Sequence, residues 1–204
     1  MDTSCMRALT YGLFVVTAKE NCFDNGCITN TVQQVTTTPN LITVAVNKAN
    51  YTHGMILRTG ELCVSVISEK ADFELFKRFG FQSGANCDKF AGYTLVERAE
   101  NGLYYVTEGV NAYMCAKVVN TVDFPTHTLF VAEVTDGKKL NGDPSATYAY
   151  YHSSIKPQPK KATKTVWRCS ICGYEYEGEE LPDDFICPLC KHGKEDFVKV
   201  TVEK

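Results

Sequence analysis

Two Cys-x-x-Cys pairs, Cys169-Ser170-Ile171-Cys172 and Cys187-Pro188-Leu189-Cys190, stand close together near the end of this 204-residue sequence. The tail that holds them, about forty residues long, cannot sustain itself by hydrophobic burial alone and needs a staple. In a Cys-x-x-Cys turn both sulfurs point at one centre while backbone N–H groups fold toward the first of them. Two such turns facing each other make a closed tetrahedron of four sulfurs. Cys169, Cys172, Cys187 and Cys190 are therefore the expected metal ligands. The spacing is a strong signal for metal, and structural zinc fits the same geometry as iron.

Upstream of the first pair, Lys156-Pro157-Gln158-Pro159-Lys160-Lys161-Ala162-Thr163-Lys164-Thr165 has no large apolar residue, two prolines and four lysines. Such a segment has no face to bury and reads as a linker. Three parts follow: a domain over 1–155, a linker over 156–165 and a small domain over 166–204. The six remaining cysteines, Cys5, Cys22, Cys27, Cys63, Cys87 and Cys115, are irregularly spaced. No basic segment followed by an apolar run opens the sequence, so these are expected to be reduced thiols of a cytoplasmic protein. Nothing approaches a membrane-spanning length, and a formal charge of −3 gives no electrostatic reason to expect nucleic acid.

Residues 1–155 read mainly as strand. Gly12 to Ala18 is a β-rich run, expected to end at the turn Asp24-Asn25-Gly26. Cys27 to Thr37 and Leu41 to Val46 follow as strands around Pro39. Tyr51 to Arg58 is a short helix stopped by Gly60, and Glu61 to Ile67 alternates like a half-buried strand. Asp72 opens a second helix that runs to Phe79 and ends at Gly80. Two long β runs, Ala112 to Val122 and Thr128 to Val134, close the domain. Many strands with few helices argue an antiparallel barrel.

Aromatic residues crowd the four cysteines: Trp167, Tyr174, Tyr176, Phe185 and Phe197. With Cys-x-x-Cys-Gly-Tyr-x-Tyr, then Leu181-Pro182-Asp183-Asp184-Phe185-Ile186 before the second pair, then Gly193-Lys194-Glu195-Asp196-Phe197, the tail resembles the rubredoxins from residue 166 to about 200. The resemblance implies one iron ion (Fe2+/Fe3+) held by Cys169, Cys172, Cys187 and Cys190. An iron with four sulfur ligands and no open position exchanges single electrons and binds no substrate. One departure is Lys191, where the family commonly has glycine. If φ is positive there, a lysine carries strain on the order of 1 kcal/mol.

In the larger domain two polar clusters stand out. Asn25-Gly26-Cys27-Ile28-Thr29-Asn30-Thr31 puts hydroxyls and amides at a turn and strand start. Asn47-Lys48-Ala49-Asn50-Tyr51-Thr52-His53 supplies a cation, amides and a hydroxyl just before a helix, whose exposed N–H groups suit a phosphate. A polar hairpin and a capped helix account for the same residues. Their order, with Ser83-Gly84, Asp88-Lys89-Phe90-Ala91-Gly92 and His127-Thr128-Leu129-Phe130, resembles the flavin reductase-like family, which includes the flavoredoxins, over residues 5 to 152. That implies an FMN-binding split β-barrel. It places Asn30 and Thr31 at the isoalloxazine side, with Thr29 beside them as a further candidate, and Asn50 and Thr52 at the phosphate end. Asn47 and Lys48 are further candidates, and Lys89 and His127 complete the cofactor site. Pro125-Thr126 before His127, and Ala132, depart from the family pattern on the nicotinamide side.

The fold class expected is thus mainly β: an FMN-binding split barrel followed by a rubredoxin-like iron domain. The two parts together resemble fused flavoprotein–rubredoxins. This implies an electron relay from FMN to iron serving a flavodiiron oxygen or nitric oxide reductase, with NAD(P)H or a separate reductase as donor, and a homodimer formed through the barrel. The alternative is an NAD(P)H-dependent flavin reductase with a structural zinc module.

Overall fold

A computed structural model describes residues 2–157 and 163–203. The chain divides into two compact units, Met1–Pro157 and Gln158–Lys204.

The first unit runs β1 (Phe14–Glu20), β2 (Phe23–Thr29), β3 (Val32–Thr37), β4 (Asn40–Asn47), α1 (Tyr51–Thr59), β5 (Glu61–Ile67) and α2 (Phe73–Gly80). A small hairpin of β6 (Val96–Arg98) and β7 (Tyr104–Val106) follows, then the long strands β8 (Val110–Asp123) and β9 (His127–Lys139). Seven strands form one antiparallel sheet in the order β2-β1-β5-β8-β9-β4-β3. Its two end strands, β2 and β3, are consecutive in the chain and joined only by Asn30-Thr31. The sheet therefore has to curl round until its ends meet. Among the described residues no ladder closes the seam. Instead the Thr31 hydroxyl donates to Ala45 O of β4 at 2.6 Å, and the Thr29 hydroxyl reaches the same carbonyl at 3.2 Å. Side chains thus stitch a barrel that the backbone leaves split.

Val15 and Val16 are both fully buried, so β1 is covered on its two faces. Val16 joins Val44, Val46, Met55, Ile56, Leu62 and Phe130 inside the barrel. Val15 joins Leu13, Phe76, Phe79, Val106 and Tyr151 beneath α2. Helix α1 ends where expected, at Gly60, whose φ of 71° allows its N–H to reach Ile56 O at 2.8 Å. Helix α2 begins where expected: the Asp72 carboxylate accepts from the Glu74 N–H at 2.8 Å.

Two local expectations fail. The first hairpin turns at Asn21-Cys22, not at Asp24-Asn25-Gly26, and those three residues lie inside β2. Asn21 takes the positive φ, 55°, that asparagine tolerates. Gly26 is small for another reason: a Cβ there would sit 3.1 Å from the Phe79 ring. The strand expected over Cys27 to Thr37 is also broken at Asn30, because the chain leaves one end of the sheet and enters the other there.

The second unit is a three-stranded sheet, β11-β10-β12, of β10 (Thr163–Cys169), β11 (Glu175–Tyr176) and β12 (Phe197–Glu203). Cys169, Leu181, Cys187 and Phe197 are buried at its centre, with Trp167, Tyr174, Tyr176 and Phe185 packed against them. All five aromatics singled out in the sequence serve this core. Strand β10 pairs with β12 from Thr163 onward, so the last three residues read as linker are strand, which β-branched threonines favour. Residues 158–162 of that segment lie outside the described residues.

Candidate functional site: a four-sulfur centre and a polar cleft in the barrel

The two Cys-x-x-Cys turns of the small unit are built alike. Gly173 N–H donates to Cys169 O at 2.9 Å and Cys169 N–H to Tyr174 O at 2.9 Å; Lys191 N–H donates to Cys187 O at 3.0 Å and Cys187 N–H to His192 O at 2.8 Å. Gly173 has φ 76° and Lys191 has φ 64°, so the lysine occupies the left-handed position that the first turn gives to glycine. The paired turns bring four sulfurs together, all within 4.8 Å of one another, with Cys169–Cys190 at 3.6 Å and Cys172–Cys187 at 3.5 Å. A metal–sulfur bond of about 2.3 Å implies tetrahedral edges of roughly 3.8 Å, so this set fits one tetrahedral ion. Burial opposes ionisation of Cys187, yet the N–H groups of Cys190 and Leu189, together with the Cys172 and Cys190 thiols, outweigh it and bring that thiol down to about 6. The N–H groups of Tyr174 and His192 point at Cys172 and Cys190 and favour their thiolates, but burial and the neighbouring sulfurs leave both thiols above the usual range. Such donors stabilise thiolate and tune the potential of a bound iron.

In the barrel, the expected residues fall into three groups. Asn50, Thr52 and Lys89 line one cavity of about 210 Å³, together with Asn25, Cys27, Ser83 and Gly84. It opens at the start of α1, whose N-cap Asn50 makes no side-chain capping bond and whose first turn carries no acid. The Lys89 ammonium is buried and donates to Gly26 O at 2.7 Å and Phe79 O at 3.1 Å. Asn25 Nδ2 donates to the Thr52 hydroxyl at 3.1 Å, while Asn25 Oδ1 is buried without a partner. Burial pushes the Cys27 thiol above its usual range. A helix start and a buried ammonium together fit a phosphate group.

Asn30 and Thr31 line a second, larger cavity of about 810 Å³, walled by Leu9, Tyr11, Tyr148 and His152. Thr29 lines neither cavity; its hydroxyl meets that of Thr31 at 2.7 Å in the barrel seam.

Asn47, Lys48 and His127 form the third group, where β4 meets β9. Asn47 pairs with His127 across the sheet, and Lys48 lies 3.4 Å from Asp123. The Thr128 hydroxyl and then Lys48 hold the Asp123 carboxyl below the usual range. His127 Nδ1 is 2.9 Å from the Thr126 hydroxyl. His53 belongs to the barrel interior: its Nε2 meets the Thr128 hydroxyl at 2.8 Å, and burial, then Lys48, lower its pKa.

The sequence sets Asn25 in a polar cluster, as a turn residue and not as a cofactor contact, and does not single out Tyr11 or Tyr148. For Asn25 a signal was present: once the turn is at Asn21, a strand of Phe23-Asp24-Asn25-Gly26-Cys27 puts Asn25 on the same face as the buried Cys27.

A split barrel with a four-thiol module after it defines a flavin reductase-like protein carrying a rubredoxin-like domain. Family models agree: "Flavin reductase like domain" matches residues 6–158 and "Rubrerythrin, rubredoxin-like domain" residues 167–198. The high molecular weight rubredoxin of Moorella thermoacetica is 35% identical over 98% of this chain and 100% of its own length. The ferric-chelate reductase (NAD(P)H) of Archaeoglobus fulgidus is 38% identical over 80% of this chain and 96% of its own. Among solved structures, the flavoredoxin of Methanosarcina acetivorans shares the barrel fold, with a TM-score of 0.55 at 23% identity over 64% of this chain and 69% of that one. The chain belongs to the family of high molecular weight rubredoxins. Its two domains imply two cofactors, one FMN and one iron ion. Among the described residues no helix is long and apolar enough to cross a membrane.

Proposed function

We propose that this chain carries electrons between an FMN in the barrel and a mononuclear iron held by Cys169, Cys172, Cys187 and Cys190. The observation that carries this reading is the four-sulfur tetrahedron in the same chain as a flavin reductase-like barrel. FMN accepts electrons in pairs and releases them singly, whereas a closed four-sulfur iron handles one at a time. In the barrel, Asn50, Thr52 and Lys89 surround the phosphate cavity, and Asn30 and Thr31 face the larger cavity for the ring. Asn47, Lys48 and His127 stand as further contacts, and Thr29 holds Thr31 in place. Of the division into 1–155, 156–165 and 166–204, β10 takes Thr163–Thr165, so at most seven residues link the domains, a reach of no more than about 25 Å. That span keeps the iron domain at an effective concentration around millimolar near the flavin.

The electron acceptor in this reading is a flavodiiron protein that reduces oxygen or nitric oxide, and the donor is NAD(P)H or a separate reductase. Kinship with a putative diflavin flavoprotein of Nostoc, 29% identical over 63% of this chain, supports the acceptor class. The protein works in the cytoplasm as a homodimer formed through the barrel. A second reading, an NAD(P)H-dependent flavin reductase with a structural zinc module, is favoured by the 38% identity to a ferric-chelate reductase. An anaerobic reductive titration following flavin and ferric absorbance together decides between them. The first reading requires both chromophores and their reduction in one protein; a colourless, zinc-loaded tail supports the second.

A further inference from the structure

We propose that the side-chain amide of Asn25 is the residue that selects a phosphorylated flavin over an unphosphorylated one. This assignment rests on the FMN reading above and deepens it.

Asn25 is 1% exposed and lies in β2, where an apolar residue would normally fill that depth. One end of its amide is used, Nδ2 donating to the Thr52 hydroxyl at 3.1 Å. The other end, Oδ1, is buried and has no partner. Leaving a buried polar atom unpaired costs about 1–3 kcal/mol, so a position that keeps one has a use for it. Gly84 of the loop above leaves room for the amide in either orientation. A Cβ at Gly84 would lie 2.3 Å from Nδ2 and 2.4 Å from Oδ1, so the amide fills the space a side chain would need there.

The cavity that Asn25 lines is otherwise electropositive. It receives the start of α1 and borders the Lys89 ammonium, which is already committed to Gly26 O and Phe79 O. Two of the three Lys89 N–H donors are thus spent on the protein, so the ammonium brings its charge and one further contact, and the Thr52 hydroxyl is fully buried. A half-turn of the Asn25 amide exchanges its two ends, which are nearly equal in shape. Oδ1 then accepts from the Thr52 hydroxyl, and Nδ2 becomes a donor inside the cavity. The unpaired acceptor becomes a satisfied one, and the phosphate gains an N–H. Thr52 is in this account a positioning residue that accepts or donates to suit either state of the amide.

The test compares FMN with riboflavin on the full-length chain stripped of flavin, by fluorescence quenching. Wild type is expected to prefer FMN. Asn25→Asp puts a carboxylate beside the phosphate and should weaken FMN binding by about a hundredfold or more. Asn25→Ala, which adds no charge and protects the measurement if a buried aspartate prevents folding, should weaken it roughly 10- to 100-fold. Neither should change riboflavin affinity, which also reports that the barrel is intact. Inorganic phosphate should compete with FMN in wild type and fail to do so in Asn25→Ala. Equal losses for both flavins would make Asn25 a packing residue and overturn the proposal, as would an FMN preference that survives Asn25→Ala. A wild-type chain that takes up neither flavin overturns the FMN reading and this assignment with it.

Discussion

Replacing Lys89 with methionine keeps the aliphatic stem and removes the ammonium. In the structure that ammonium bridges Gly26 O of β2 at 2.7 Å and Phe79 O at the end of α2 at 3.1 Å, with the side chain 3% exposed. Methionine leaves two buried carbonyls without a donor, each worth about 1–3 kcal/mol. Relief of the lysine's own desolvation offsets part of this, so the net loss should be about 2–4 kcal/mol. For a unit of this size that is roughly 5–15 °C in melting temperature. A pH series adds a second readout. Burial lowers the Lys89 pKa from 10.5. Between the lowered value and 10.5 the unfolded chain binds more protons than the folded chain, so folded wild type gains stability as pH rises through that window. Lys89→Met should lack this gain. Thermal melts of the flavin-free protein by near-ultraviolet circular dichroism measure both effects. A loss below about 1 kcal/mol, with an unchanged alkaline profile, would refute the claim that this ammonium ties β2 to α2.

Two further predictions concern the small unit. Cys172→Ser removes one corner of the sulfur tetrahedron and should abolish the ferric visible bands and destabilise a core that depends on its metal; metal analysis and the visible spectrum check this. Lys191→Gly relieves the left-handed lysine at φ 64° and should raise the stability of the iron-loaded module by about 0.5–1 kcal/mol, the strain relieved less the extra freedom of glycine when unfolded. Denaturant-driven loss of the iron chromophore reads this out.

Much of the architecture was legible because local signals and burial agreed. Gly60 and Asp72 mark helix ends by chemistry that needs no tertiary partner, and both stand where read. The strand over Glu61–Ile67 stands where read, but Leu62 to Ser65 are all buried, so it is covered on both faces and not half-buried as its alternation suggested. At Asp24-Asn25-Gly26 the local signal misled. The dipeptide Asn-Gly favours a turn, but Phe79 packs against Gly26 and Asn25 is needed inside, so tertiary contacts moved the turn to Asn21. The four metal ligands were legible since Cys-x-x-Cys turns encode their geometry within a few residues. The barrel site was less so. Asn50, Thr52 and Lys89 come together only because α1, β2 and the loop after α2 meet in space, and nothing local distinguishes the paired amide end of Asn25 from the unpaired one.

The central claim is that electrons pass between flavin and iron within one chain. Rapid-mixing reduction of the full-length protein, with flavin and ferric bands followed together under anaerobic conditions, tests it most directly. The account predicts that loss of the ferric bands follows flavin reduction at a rate independent of protein concentration, because the tether already supplies an effective concentration around millimolar. A ferric signal that persists after the flavin is reduced, or one that decays in proportion to protein concentration, would contradict it.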